Sequence, residues 1–80
     1  MSKKLVVYTL GEDCIRCKMT MKKLDRMGVK YEVLDAKEHL EFLKSLGFRE
    51  APVLRVLEED DKEVASWSGY RPEKMRELIK

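Results

Sequence analysis

The chain lacks most of what would tie it to a membrane, a metal or a covalent framework. No apolar run approaches the roughly 20 residues that a bilayer-spanning helix needs. Its basic start, Met1 to Lys4, leads only into Leu5–Leu10 before Gly11, Glu12 and Asp13, which is shorter than the core of a secretory signal. The chain is therefore expected to be cytoplasmic, with no membrane partner. Cysteine is scarce: Cys14 and Cys17 are the only two, which excludes a multi-bridge disulfide scaffold. Histidine is scarcer still, with His39 alone. A zinc centre takes four ligands, and beyond the two thiols only His39 and carboxylates could supply the rest, so no metal site is expected. Charge of one sign is also missing, since 17 Lys/Arg oppose 15 Asp/Glu for a net +2. With no aromatic-basic motif, that balance speaks against nucleic acid. What remains is one small domain over residues 1–80, expected to be monomeric. At 44% hydrophobic and 40% charged it is too apolar for disorder. A chain of this size buries only about 60–65% of the surface its unfolded form exposes, so its stability should be modest.

What is present is organised around Cys14-Ile15-Arg16-Cys17, between an apolar run and a lysine-rich stretch of helical pattern. A thiol reacts as its thiolate, and a cysteine at a helix start faces unpaired backbone N–H groups and the positive end of the helix dipole. Arg16 and Lys18 should favour the Cys14 thiolate further, while Glu12 and Asp13 oppose them; with the amides added, the balance is a lowered pKa. Cys17, three residues on, is placed to attack a mixed disulfide formed by Cys14, which is the chemistry of dithiol–disulfide exchange. A structural disulfide remains an alternative, although so short a loop removes little chain entropy. In a cytoplasmic chain, catalytic or metal-binding thiols are the more natural reading.

Cations gather around this motif: residues 1–30 carry eight Lys/Arg against three Asp/Glu, whereas residues 31–63 carry five against ten. Such an asymmetry could steer an acidic partner, though Lys18, Lys22, Lys23 and Arg26 also fall where a helix shows its solvated face. Along the chain, Lys4–Thr9 reads as a strand covered on both faces. Cys14–Met27 reads as a helix with Cys17, Met21, Leu24 and Met27 on its apolar row, stopped by Gly28. Lys30–Asp35 reads as a second strand, parallel to the first across the helical crossover, with Tyr31, Val33 and Asp35 opposite Glu32 and Leu34. Lys37–Leu46 reads as a second helix with Leu40, Leu43 and Gly47 on one row and Leu46 beside it, stopped by Gly47, with His39 at its surface or boundary. Ala51–Leu57 and Glu63–Trp67 read as an antiparallel hairpin around acidic Glu58–Asp61. Pro72 opens a last helix to Ile79, with Met75, Leu78 and Ile79 inward. The expected class is α/β, order βαβαββα: a four-stranded mixed sheet with three helices, on both faces.

A strand leading into C-x-x-C at a helix start, followed by a proline that opens a hairpin, resembles the thioredoxin fold, and the short length resembles its glutaredoxin branch. Trp67-Ser68-Gly69-Tyr70-Arg71-Pro72 is similar to the W-S-G-(F/Y)-R-P segment of the NrdH-type redoxins. The resemblance implies a redox-active pair needing no cofactor, with Cys14 attacking and Cys17 resolving. It implies a cis Pro52, where sequence alone would favour trans, with Ala51, Pro52 and Val53 offering backbone to a partner's extended peptide. Trp67, Ser68, Gly69, Tyr70 and Arg71 would form a rigid partner-binding loop, with Trp67 and Tyr70 as an aromatic docking surface. The implied partners are thioredoxin reductase as electron donor and class Ib ribonucleotide reductase as acceptor. Glutathione-using relatives carry T-V-P and G-G-x-D, and neither is complete here, so a protein reductant is expected. Lys18 after the second cysteine and the long acidic turn depart from the family pattern. A general glutaredoxin-like reductase and a cluster-ligating glutaredoxin remain alternatives. So does a copper carrier of the M-x-C-x-x-C kind, although residue 12 is Glu and the element order differs.

Overall fold

The computed structural model describes residues 4–11 and 13–77. Its elements are β1 (Lys4–Thr9), α1 (Ile15–Met27), β2 (Glu32–Asp35), α2 (Leu40–Ser45), β3 (Val53–Leu57), β4 (Glu63–Ser68) and α3 (Pro72–Arg76), with a 3-10 turn over Ala36–His39 leading into α2. The order is the expected βαβαββα, and the strands form one mixed sheet in the order β2-β1-β3-β4. β1 is central: it runs parallel to β2, with Tyr8 opposite Leu34, and antiparallel to β3, with Tyr8 opposite Val53.

Because successive strand residues point to opposite faces, β1 feeds two cores. Leu5 and Val7 join Leu24 of α1, Met75 of α3, Leu54, Val56 and Trp67 on one face. Val6 and Tyr8 join Ala36, Leu43, Val53 and Leu57 on the other. Two helices thus cover one face and α2 covers the other, so the near-continuous apolar run of β1 is buried from Leu5 through Thr9. Leu24 and Leu54 are fully buried, and truncating either to Ala should cost about 2–5 kcal/mol.

Helix α1 starts and stops as its sequence directs. Cys14 is its extended N-cap, and Gly28 adopts φ 73°, a conformation costly for any residue with a Cβ. There the Gly28 N–H donates to Asp25 O at 3.2 Å and the Val29 N–H to Leu24 O at 3.1 Å, closing the last carbonyls. Met21 and Met27 are only partly buried, whereas Thr20, outside the expected row, is wholly buried and its hydroxyl has no partner among the described residues.

Two expectations need correction. The second helix is shorter than Lys37–Leu46: the Asp35 carboxylate accepts the Lys37 N–H at 2.8 Å and caps a 3-10 turn first. With so few turns only Ala36 and Leu43 are buried against the sheet, leaving Leu40 and Leu46 exposed. Strand β2 begins at Glu32 rather than Lys30; as an edge strand it leaves Val33 exposed, while Leu34 packs on the second core and Tyr31 on the first. The described part of α3 ends at Arg76, and Leu78 and Ile79 lie outside the described residues.

His39 sits at a boundary, its ring edge-on to Tyr8 at 5.3 Å between centroids. Arg55 stitches this face together, lying 4.8 Å over the Phe42 ring and donating to Glu63 at 2.7 Å and to the Tyr8 hydroxyl at 3.1 Å. The acidic hairpin turn closes through Glu58 N–H to Lys62 O at 2.9 Å, after a bulge at Val56/Leu57.

Candidate redox site

The site lies where the chain leaves the C-terminal end of β1. Cys14 and Cys17 are disulfide-bonded, with Cα atoms 5.2 Å apart. Their environments differ sharply: Cys14 is partly exposed as the N-cap, while Cys17, one turn into α1, is fully buried. The Cys17 N–H donates to Cys14 Sγ at 3.2 Å. When the pair is reduced, that amide and the helix dipole both favour negative charge on the Cys14 sulfur.

Sheet register brings two further segments to the same end. Val53 pairs with Tyr8 on one side and with Ser68 on the other, so the residues just before Val53 and just after Ser68 lie beside the loop that carries the cysteines. The Ala51–Pro52 bond is cis, Pro52 is fully buried, and its carbonyl accepts the Gly69 N–H at 2.8 Å. Ala51 makes no backbone hydrogen bond to another described residue. Gly69 holds φ 82°, and a Cβ there would meet nothing closer than Glu50 Oε1 at 3.8 Å. Gly69→Ala should therefore be strained rather than crowded, losing about 1–2 kcal/mol of stability in urea denaturation.

Several expected site residues sit elsewhere than the sequence suggested. Trp67 does not form an aromatic docking surface: it pairs with Leu54 and turns its ring into the core beneath α1 and α3, 6% exposed, with an indole N–H that finds no partner among the described residues. Tyr70 is partly buried against the same cluster. The physical reason is strand alternation, since Trp67 shares its face with Val56 and Leu54 across β3. Ser68 remains beside the site, its carbonyl accepting from Arg71 Nε at 3.1 Å. Arg16 is not a free cation, because its Nη1 meets Glu50 Oε2 at 2.7 Å. Lys18 and Asp13 are exposed, Lys18 without an ion-pair partner among the described residues, and Glu12 lies outside them. No cluster of three or more His, Cys, Asp or Glu able to hold a metal occurs among the described residues.

The sequence reading missed an apolar groove of about 510 Å³ between the β1–α1 loop, α2 and the segment before Pro52. Leu10, Leu40, Phe48 and Ala51 line it, together with exposed Lys44 and Arg49, which have no ion-pair partner among the described residues. The only sequence signal was three large apolar residues, each of which reads equally well as core.

Residues 5–70 match the family model for Glutaredoxin. Glutaredoxin-like protein NrdH of Escherichia coli K12 is 32% identical over 78 residues, covering 94% of this chain and 88% of the relative. Among solved structures, the Escherichia coli NrdH-redoxin, a glutaredoxin-like protein with a thioredoxin-like activity profile, superposes with TM-score 0.78 at 31% identity, covering 94% of this chain and 93% of that one. Reduced desulfothioredoxin from Desulfovibrio vulgaris Hildenborough superposes with TM-score 0.74 at 28% identity, covering 99% of this chain and 80% of that one. No helix among the described residues is long and apolar enough to cross a membrane.

Proposed function

This chain belongs to the glutaredoxin family, and on that premise we propose that it is a small cytoplasmic dithiol carrier, reduced by thioredoxin reductase and passing its electrons to a class Ib ribonucleotide reductase. The observation that carries the reading is the contrast between partly exposed Cys14 and buried Cys17 on one helical turn. In the forward step the Cys14 thiolate attacks one sulfur of a partner's disulfide, forming a mixed disulfide and expelling the other partner sulfur as a thiolate. Cys17 then loses its proton and attacks Cys14 Sγ, releasing the second partner thiolate. Two electrons have moved to the partner, both released thiolates take up protons, and the Cys14–Cys17 disulfide remains to be re-reduced. The Cys17 amide at 3.2 Å stabilises Cys14 as attacking thiolate and, in re-reduction, as the thiolate released when the reductase resolves its mixed disulfide with Cys14.

Partner binding is assigned to the free backbone of Ala51 beside cis Pro52, flanked by Val53, Ser68, Gly69 and Arg71. A partner strand laid there would reach the groove of Leu10, Leu40 and Phe48, whose lining cations Lys44 and Arg49 suit an apolar side chain next to a carboxylate. Lys44→Glu with Arg49→Glu should therefore lower kcat/KM with the protein reductase about tenfold at low ionic strength, and less in high salt. Steady-state rates in both buffers check this.

A protein reductant is supported by the incomplete T-V-P and G-G-x-D segments and by the thioredoxin-like activity profile of the Escherichia coli relative. The test is NADPH oxidation at equal redoxin concentration, with thioredoxin reductase in one cuvette and glutathione plus glutathione reductase in the other. The thioredoxin-reductase rate should be the faster by at least about tenfold, which corresponds to ~1.4 kcal/mol of transition-state preference. A glutathione-coupled rate equal to or above it would overturn the reading.

A further inference from the structure

Arg16 is the one charged residue between the two cysteines, yet its guanidinium turns across the site to Glu50, 34 residues later in the chain. Both side chains are more than half exposed, so the pair adds little to stability. Its position is more informative than its strength. Glu50 immediately precedes Ala51 and Pro52, and its carboxylate lies against the Gly69 backbone, 3.8 Å from where a Cβ would stand. A shallow recess of about 350 Å³ opens here, lined by Arg16, Glu50, Ser68, Gly69, Arg71 and Glu73 among others. Arg71 also lines that recess, held through Nε to the Ser68 carbonyl, but Arg16 stands in the first turn of the helix that Cys14 caps, which makes it the grip nearest in sequence to the attacking cysteine for a carboxylate on an incoming disulfide. The chain's own Glu50 occupies that grip.

We infer that Glu50 is a specificity-determining residue for disulfide exchange at Cys14: by pairing Arg16 it denies anionic disulfides the cation that stands between the two cysteines in the chain. The inference rests on the reading that Cys14 attacks first. The chemistry is unchanged by it: Cys14 S⁻ attacks one sulfur of R–S–S–R, one RS⁻ leaves with the bonding pair and takes a proton from water, and Cys17 releases the second. Only the charge on R is sensed. With Arg16 and Glu50 both in place their two charges offset each other; with Glu50 neutralised, Arg16 attracts a carboxylate on R over a distance comparable to the screening length of about 8–10 Å.

Three small disulfides of similar size serve as probes: anionic 2,2′-dithiodiglycolate, neutral 2-hydroxyethyl disulfide and cationic cystamine. The full chain, reduced beforehand and freed of reductant, is reacted with each by stopped flow at low ionic strength, and the rates are read as ratios to the neutral probe. Glu50→Gln should raise the anionic-to-neutral ratio about three- to tenfold and lower the cationic one, both effects collapsing in 0.5 M salt, as expected for a single nearby charge. Arg16→Gln, which leaves Glu50 unpaired, should move the ratios the opposite way, and the double substitution should return them to near the wild-type values. Ratios unmoved by Glu50→Gln, or a rise that persists in the double variant, would overturn the inference. A wild-type chain that reacts with none of the three would instead sink the exchange reading itself.

Discussion

Cys14→Ser should abolish disulfide reduction to the uncatalysed background, whereas Cys17→Ser should still attack and accumulate a stable mixed disulfide with its partner. The asymmetry follows from position. Cys14 caps the helix at the surface, where a partner sulfur can approach, and accepts the Cys17 N–H at 3.2 Å, so its thiolate is both reachable and stabilised. Cys17 is fully buried beneath it, reachable only by the Cys14 sulfur to which it is already bonded in the oxidised state. Limiting iodoacetamide on the reduced protein, followed by mapping of the label, should find Cys14 modified first, and non-reducing electrophoresis should show the Cys17→Ser adduct. Preferential labelling of Cys17 would reverse the two roles.

Trp67→Ala should destabilise the whole fold rather than weaken docking alone. Its ring packs with Leu5, Val7, Leu24, Leu54, Val56 and Met75, and truncating a buried aromatic of that size costs about 3–5 kcal/mol. A domain of this length has on the order of 4–12 kcal/mol in total, so a large share of the stability should go. Trp67→Phe should cost much less, because it keeps most of the ring and removes an indole N–H that has no partner among the described residues. Urea unfolding followed by circular dichroism separates the outcomes. Wild-type stability in Trp67→Ala, together with a lost reductase-coupled rate, would restore Trp67 to the partner surface.

The contrast between those two residues and Trp67's expected role marks what was legible in the chain. The strand–C-x-x-C–helix junction is a local pattern, and a local cause sustains it: an extended cap at Cys14, a 3.6-residue apolar row through Cys17 and Leu24, and Gly28 at a positive φ. The unbroken run Leu5–Tyr8 likewise announced a strand covered on both faces, because only a two-layered burial stabilises consecutive apolar residues. From these, the order βαβαββα and the redox pair could be read directly. Even the cis bond at Pro52 was reachable, but through resemblance rather than from the residues around it.

Tertiary structure decided the rest, because it turns on register and on which surface covers which face. Trp67 could have ended β4 on either side of the sheet until its pairing with Leu54 set the face. A two-turn α2 could not bury Leu40, Leu43 and Leu46 at once, so Leu40 came to line a groove that no periodicity predicts. Arg16 looked like a cation reserved for Cys14 because charge within one turn is all that sequence spacing shows. Its carboxylate partner stands on the segment that Gly69 and Pro52 hold beside α1, and an ion pair between residues 16 and 50 exists only once β3 has docked against β1.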